Sequence, residues 1–267
     1  MTEDLPAYRT IPEYRTVLAG TNHFASYRSD SRKKERFLGE VRRANHLIVE
    51  GDRNLTNFIA AGLPATLTKT NYETLAITSF REGDIHPLEG QEDMVALAKT
   101  HGCRPDLFTA YYILCQLGRK AVRHASSVRR ITESEVYRLI LTGLKARMEP
   151  YRNMRVNDAA RALGRILHDP TFKDTDSILE SIGLEFLWFE KRLREEEVMS
   201  PKARELCTGL RGNKLVIVGY YHLDSVEKHI KGEPTEPAPT WQQVIETAEP
   251  AVRDAILRIE NELVPLE

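Results

Sequence analysis

Two histidines stand at matching places in this chain. Thr16 to Ala19 runs into Gly20 and then His23, and Lys214 to Val218 runs into Gly219 and then His222, the same Gly-x-x-His spacing behind an apolar run. A carboxylate closes a third run, where Leu47, Ile48 and Val49 lead to Glu50, and Glu89 ends a fourth that begins at Ile85. Two imidazoles and one carboxylate are a sufficient set of donors for a divalent ion, with a further position left for water. An ion so held lowers the pKa of that water toward about 7 and polarises a carbonyl, as amide or ester hydrolysis requires. In this reading His23, Glu50 and His222 are metal ligands, for Mn, Co or Zn. Glu89 is a further ligand or the general base, and Arg194 steadies an oxyanion or locks a carboxylate. Without metal, the same His and Glu residues act on water as an acid–base pair.

Such residues meet only if the chain between them brings them together. The run Leu215 to Val218 is rich in β-branched residues and reads as a fully buried strand, and so do Thr16–Ala19 and His46–Glu50. Between the latter two, Ser26 to Arg36 is charged and Phe37, Leu38 and Val41 lie on one helical face. Strand, helix and strand make a βαβ unit, which predicts that the two strands are parallel and adjacent and that Glu50 shares a sheet edge with His23. Ligands gather at the carboxyl edges of such sheets. The Arg and Lys residues of the helix read as a solvated face. Leu55 to Arg81 reads as helix and loop, with Tyr72, Leu75, Ala76 and Phe80 apolar. Ile85–Glu89 is a short strand that Pro87 consigns to an edge.

From 91 to 209 the texture changes. Apolar residues recur at helical spacing in Met94–Leu97, Leu107–Leu114, Val136–Leu141, Ile178–Ile182 and Phe186–Phe189, separated by turn signals at Gly102, Pro105, Gly118, Pro150, Pro170 and Pro201. The chain is therefore read as an α/β protein, α+β-like in segregating its helices. Residues 1–90 and 210–232 form a small, mostly parallel central sheet flanked by helices, and 91–209 a large all-helical insertion. Residues 233–267 form a proline-rich connector and a C-terminal helix, which docks on the body or serves as a homodimer arm. The opening segment Met1–Glu13 carries no clear signal. The arginines of the insertion, Arg119 to Arg165, could hold a phosphate or a peptide carboxylate, but read first as surface charge offset by the acidic run Glu195–Glu197. Cys103, two residues after His101, resembles half a metal site and reads as a packing residue.

Composition bounds the rest. At 267 residues, with 41% hydrophobic and 29% charged side chains, the chain has the make-up of a soluble globular protein, and a formal charge of −1 gives no general attraction to nucleic acid or anionic membrane. Cys103, Cys115 and Cys207 are widely spaced and form no C-x-x-C pair, which suggests neither a disulfide framework nor a thiolate zinc site and fits a reducing cytoplasm. No apolar run approaches the roughly 20 residues of a membrane helix.

The paired Gly-x-x-His motifs ending at His23 and His222, with Glu50 between them, resemble the pattern of the TraB/Tiki/ChaN superfamily. The segment Leu193–Met199 is similar to that family's Arg-acid-x-x-Met stretch, one residue out of step. The resemblance covers Arg15–Asp52 and Leu193–Val226. It implies an α/β core whose two Gly-x-x-His motifs and glutamate form one site. In the Tiki branch that site is associated with metal-dependent peptide cleavage; other branches bind heme or control a peptide pheromone. Erythromycin-esterase-like proteins, more distant, use His and Glu for hydrolysis. Neither the C-terminal membrane segments of TraB-type members nor the signal sequence of ChaN-type ones is read in this sequence, so the expectation is against a pheromone-membrane or heme-uptake role. The readings that follow are a metal-dependent hydrolase, a peptidase by preference; a metal-free esterase-like hydrolase using the same residues; and a non-catalytic binding or regulatory protein. The expected partner is a peptide or small-molecule substrate, with neither nucleic acid nor membrane.

Overall fold

A computed structural model of the chain describes residues 6–22, 30–52, 72–81, 83–89, 94–108, 111 and 169–263. His23 lies outside these residues, as do the arginines from Arg119 to Arg165. Contacts divide the chain into a sheet unit, 1–92 with 194–237, and a helical unit, 93–193 with 238–267. The boundary before the last strand thus falls at Leu193/Arg194, whereas turn signals placed it after residue 209. The C-terminal segment belongs with the helical unit.

The sheet unit is built on five strands: β1 (Ala7–Ile11), β2 (Thr16–Thr21), β3 (His46–Asp52), β4 (Asp84–Glu89) and β5 (Lys214–Gly219). Their order is β1-β2-β5-β3-β4, and all neighbours are parallel except the antiparallel β1–β2 pair. The fold is therefore α/β with a mostly parallel sheet. β1 comes from the opening segment that looked featureless. A second difference matters more: β2 and β3 are parallel but not adjacent, because β5 lies between them. β5 buries every residue, as its unbroken apolar run requires, and the usual adjacency of a βαβ pair yields to that demand for two covered sides. The end of β5 thereby emerges between the ends of β2 and β3. Pro87, which offers no N–H to a neighbour, sits in edge strand β4 as its chemistry dictates.

Strand alternation sorts the side chains onto two faces. Leu47, Val49, Leu215 and Ile217 face α1 (Ser31–Arg43) and α2 (Tyr72–Ser79), where Phe37 and Tyr72 meet edge-to-face with ring centroids 4.9 Å apart. Helix α1 starts where the Asp30 carboxylate accepts from the Arg32 and Lys33 amides at 2.9 and 3.1 Å. On the other face Ile48, Leu88, Val216 and Val218 pack with Met199, Ala203, Val226 and Ile230.

The helical unit includes α3 (Met94–Thr100), α4 (Thr175–Leu193), α7 (Trp241–Thr247) and α8 (Pro250–Glu262). Among the described residues, two further helices, α5 (Ser200–Gly209) and α6 (Leu223–Lys231), belong to the sheet unit. Helix α4 buries Leu179, Ile182, Phe186, Phe189 and Leu193, an alternating three-and-four spacing that makes one continuous stripe. Phe186, Phe189, Tyr111 and Trp241 form an aromatic cluster, and the Trp241 indole N–H donates to Glu260 at 2.8 Å. Cys103 is buried in this core, where burial pushes its thiol pKa up, so it is a packing residue. Helix α8 presents Val252, Ala255, Ile256 and Ile259 inward. Among the described residues, no helix is long and apolar enough to cross a membrane.

Candidate functional site

The run 175–209 is helical throughout, but Arg194–Met199 opens into a π-helical turn between α4 and α5. A cause is present in the sequence. Pro201 has no N–H to give the carbonyl of Glu197, and its ring crowds that oxygen, so the turn before it must widen. The widened turn buries two consecutive carboxylates, Glu195 at 2% exposure and Glu196 at 7%. Both are corrections to the reading of Glu195–Glu197 as solvated charge. Only Glu197 is exposed.

Each buried carboxylate has a histidine. Glu195 lies 2.7 Å from His222 Nδ1 and Glu196 lies 2.8 Å from His229 Nε2. Glu196 also accepts from the Ser225 hydroxyl at 2.9 Å, fastening α6 to the π turn. His222 stands at the junction of β5 and α6, at the end of a short 3₁₀ turn (Tyr220–His222). An ionised carboxylate only accepts, so the Glu195 contact places a proton on His222 Nδ1 and leaves the lone pair on Nε2.

That lone pair faces Glu50. The distance from His222 Nε2 to Glu50 Oε1 is 3.6 Å, too long for a direct hydrogen bond and short enough for one oxygen or ion to touch both. Glu50 is positioned in turn by the Gly219 amide, which donates to Oε2 at 2.6 Å. After Val49 the β3–β4 register shifts, and Gly51 takes φ 121°, a conformation that suits glycine and interrupts the ladder in a bulge before Asp52 pairs with Glu89. Arg194 donates through Nε to Glu89 at 2.8 Å, makes a second, ion-paired contact to the same oxygen, and reaches Glu50 Oε1 at 3.5 Å. Arg194 therefore pairs with both carboxylates and ties the ends of β3 and β4 together. The structure thus brings together Glu50, Glu89, Arg194 and His222 at the carboxyl edge.

Gly20 explains half of the matching motif. A β-carbon there would come within 3.1 Å of Leu223 Cδ2 and 3.3 Å of Tyr220 Cα, so glycine lets the turn that carries His222 approach closely without displacing it. Next to it, the buried Thr21 hydroxyl contacts the Glu73 carboxylate, an acid of α2 that was not anticipated as a site residue.

A different group offers metal-donor geometry. Ligand atoms of His46, Asp84 and His86 all lie within 4.8 Å of one another, and this group was not anticipated from sequence. It stands at the amino ends of β3 and β4. No family model matches the chain, and comparisons with curated proteins and with solved structures returned no significant match.

Proposed function

We propose that this chain hydrolyses an ester or amide bond, with His222 activating water at the carboxyl edge of the sheet. The observation that carries the reading is the order Glu195, His222, Glu50: a buried carboxylate on Nδ1 and a lone pair on Nε2 aimed at a second carboxylate 3.6 Å away. In the step so arranged, Nε2 takes a proton from water as the oxygen attacks the substrate carbonyl. Glu195 balances the imidazolium, and the same proton passes to the leaving oxygen or nitrogen when the tetrahedral intermediate collapses. Arg194, about a third exposed and paired with Glu50 and Glu89, places positive charge beside the position of the developing oxyanion. A peptide or a small ester is the substrate class this machinery fits.

The spacing of His222 and Glu50 favours a second reading, the metal-dependent hydrolase of the TraB/Tiki/ChaN resemblance. Two donors 3.6 Å apart both reach one divalent ion at about 2.0–2.2 Å, and a carboxylate behind a ligating histidine is the usual supporting partner. When bound, the ion would supply Lewis-acid polarisation and a more acidic water. His23 is the third ligand in this reading. Arg194 weighs against it, since a guanidinium on the same Glu50 oxygen repels a cation. The metal-free form is therefore the one the geometry supports best.

The test is hydrolysis of chromogenic esters and a mixed peptide library by the tag-free chain, with and without chelator, beside His222→Ala. Turnover that resists chelation and disappears in the variant supports the first reading. Turnover that chelation abolishes in both the parent and a His86→Ala control supports the second. Absence of turnover on every substrate overturns both.

A further inference from the structure

His46 opens β3 and Asp84 opens β4, and the parallel register sets them opposite each other, with His86 two residues on and paired with Ile48. Alternation therefore puts all three side chains on one face, the face of Ile48 and Leu88. Glu50 is on the same face of β3, four residues along, so by strand rise the His46 end lies about 13 Å from the site described above. The two are independent.

The chemistry of the group is specific. His46 Nε2 lies 2.9 Å from the Arg211 carbonyl, which can only accept, so the ring carries its proton on Nε2 and presents a lone pair on Nδ1. That lone pair is 3.3 Å from His86 Nε2. Two imidazole nitrogens bound to one tetrahedral zinc at about 2.0–2.1 Å stand about 3.3–3.4 Å apart. The separation is thus already that of two ligands of one ion, and the backbone carbonyl behind His46 is the support a ligating histidine ordinarily has. Asp84 is exposed and offers a carboxylate oxygen within 4.8 Å of a ligand nitrogen of each histidine. Burial is the largest influence on the His86 imidazole and lowers its pKa, with His46 and Lys202 acting the same way and Asp84 against them. Lys202 is in turn paired with Glu205 at 2.8 Å, which moderates its opposition to a cation.

We propose that His46, Asp84 and His86 bind one divalent transition-metal ion, of the imidazole-preferring class to which zinc belongs, with water in the fourth position. The ion joins edge strand β4 to β3 at the end remote from Glu50 and Glu89. It completes a pairing that, at the other end, Arg194 makes with side chains.

The competing arrangement is a plain hydrogen bond from His86 Nε2–H to His46 Nδ1, with no affinity for metal. The full-length, tag-free chain, stripped with chelator, is titrated with Zn2+ by calorimetry and with Co2+ by visible absorption. The parent and His222→Ala are expected to take up one ion each with the absorption of tetrahedral cobalt. His86→Ala, His86→Gln and Asp84→Asn are expected to bind at least about tenfold more weakly, the scale of losing even a supporting contact at such a site. Circular dichroism accompanies each variant, and the glutamine variant keeps a hydrogen-bonding group if alanine disturbs the strand. Parent protein that takes up no ion, uptake undiminished in folded His86→Gln, or uptake lost only in His222→Ala would each overturn the assignment.

Discussion

Glu195 and His222 are joined across the sheet unit at 2.7 Å, carboxylate to Nδ1, with both side chains buried. The contact fixes which nitrogen of the imidazole is available, and its value depends on charge as well as shape. Glu195→Gln keeps an oxygen toward Nδ1–H and removes the charge that balances imidazolium. The expected result is a kcat lower by about 10–100-fold with KM little changed, the usual scale for a partner that orients a reacting histidine. Steady-state kinetics with circular dichroism check it. A KM effect alone would show that Glu195 only shapes the pocket.

Arg194 links Glu50 with Glu89, which lie 8% and 20% exposed. Arg194→Met would leave two partly buried carboxylates facing each other without a cation. Because the arginine is partly solvated, the expected loss is about 2–3 kcal/mol, below the roughly 3–5 of a fully buried pair. Arg194→Lys recovers only part, since an ammonium cannot reproduce the planar fork. Urea unfolding at neutral pH measures it, and a loss below about 0.5 kcal/mol would mean that the bridge is a surface pair.

Gly20→Ala is expected to act at a distance along the chain. The added methyl meets the Tyr220 backbone, which cannot rotate away as a side-chain tip would. Overpacking of this kind costs about 1–3 kcal/mol, and here it also moves His222 relative to Glu50. The melting temperature and the hydrolysis rate should fall together. A variant with parental stability and rate would show that the turn is free to shift.

What the sequence made legible, and what it did not, follows from the range of the interactions. Strands β2 to β5 announced themselves as apolar runs, and Glu50, Glu89 and His222 were legible because a strand end has an obvious neighbourhood. The insertion of β5 between β2 and β3 was not, since it depends on which strand most needs two covered faces. Glu195 and Glu196 read as surface charge because a regular helix does not bury consecutive acids; Pro201, taken as a turn signal, was the clue to the wider turn that does. His46, Asp84 and His86 become a group only through the β3–β4 register, and no spacing along the chain encodes that.

In the helical unit, burial raises the Glu260 carboxyl above its ordinary 4.5, against the pull of the Trp241 N–H and Arg104. The folded state then binds this proton more tightly than the unfolded state does. Its contribution to stability is full below the ordinary value and is lost as pH rises through the raised one. Glu260→Gln keeps an acceptor for Trp241 and cannot ionise. The melting temperature of the variant minus that of the parent should therefore increase between pH 4.5 and 7. A difference that stays level or decreases would show that the carboxylate is stabilised where it stands.

The central claim is that His222 Nε2 activates water, and its most direct measurement is kcat/KM for one ester or peptide substrate, in chelator, for the parent and His222→Ala with matched circular dichroism. The expected result is a loss of about 10²–10⁴-fold, the contribution of a positioned general base, with the fold unchanged. Hydrolysis by folded His222→Ala at the parental rate would contradict it.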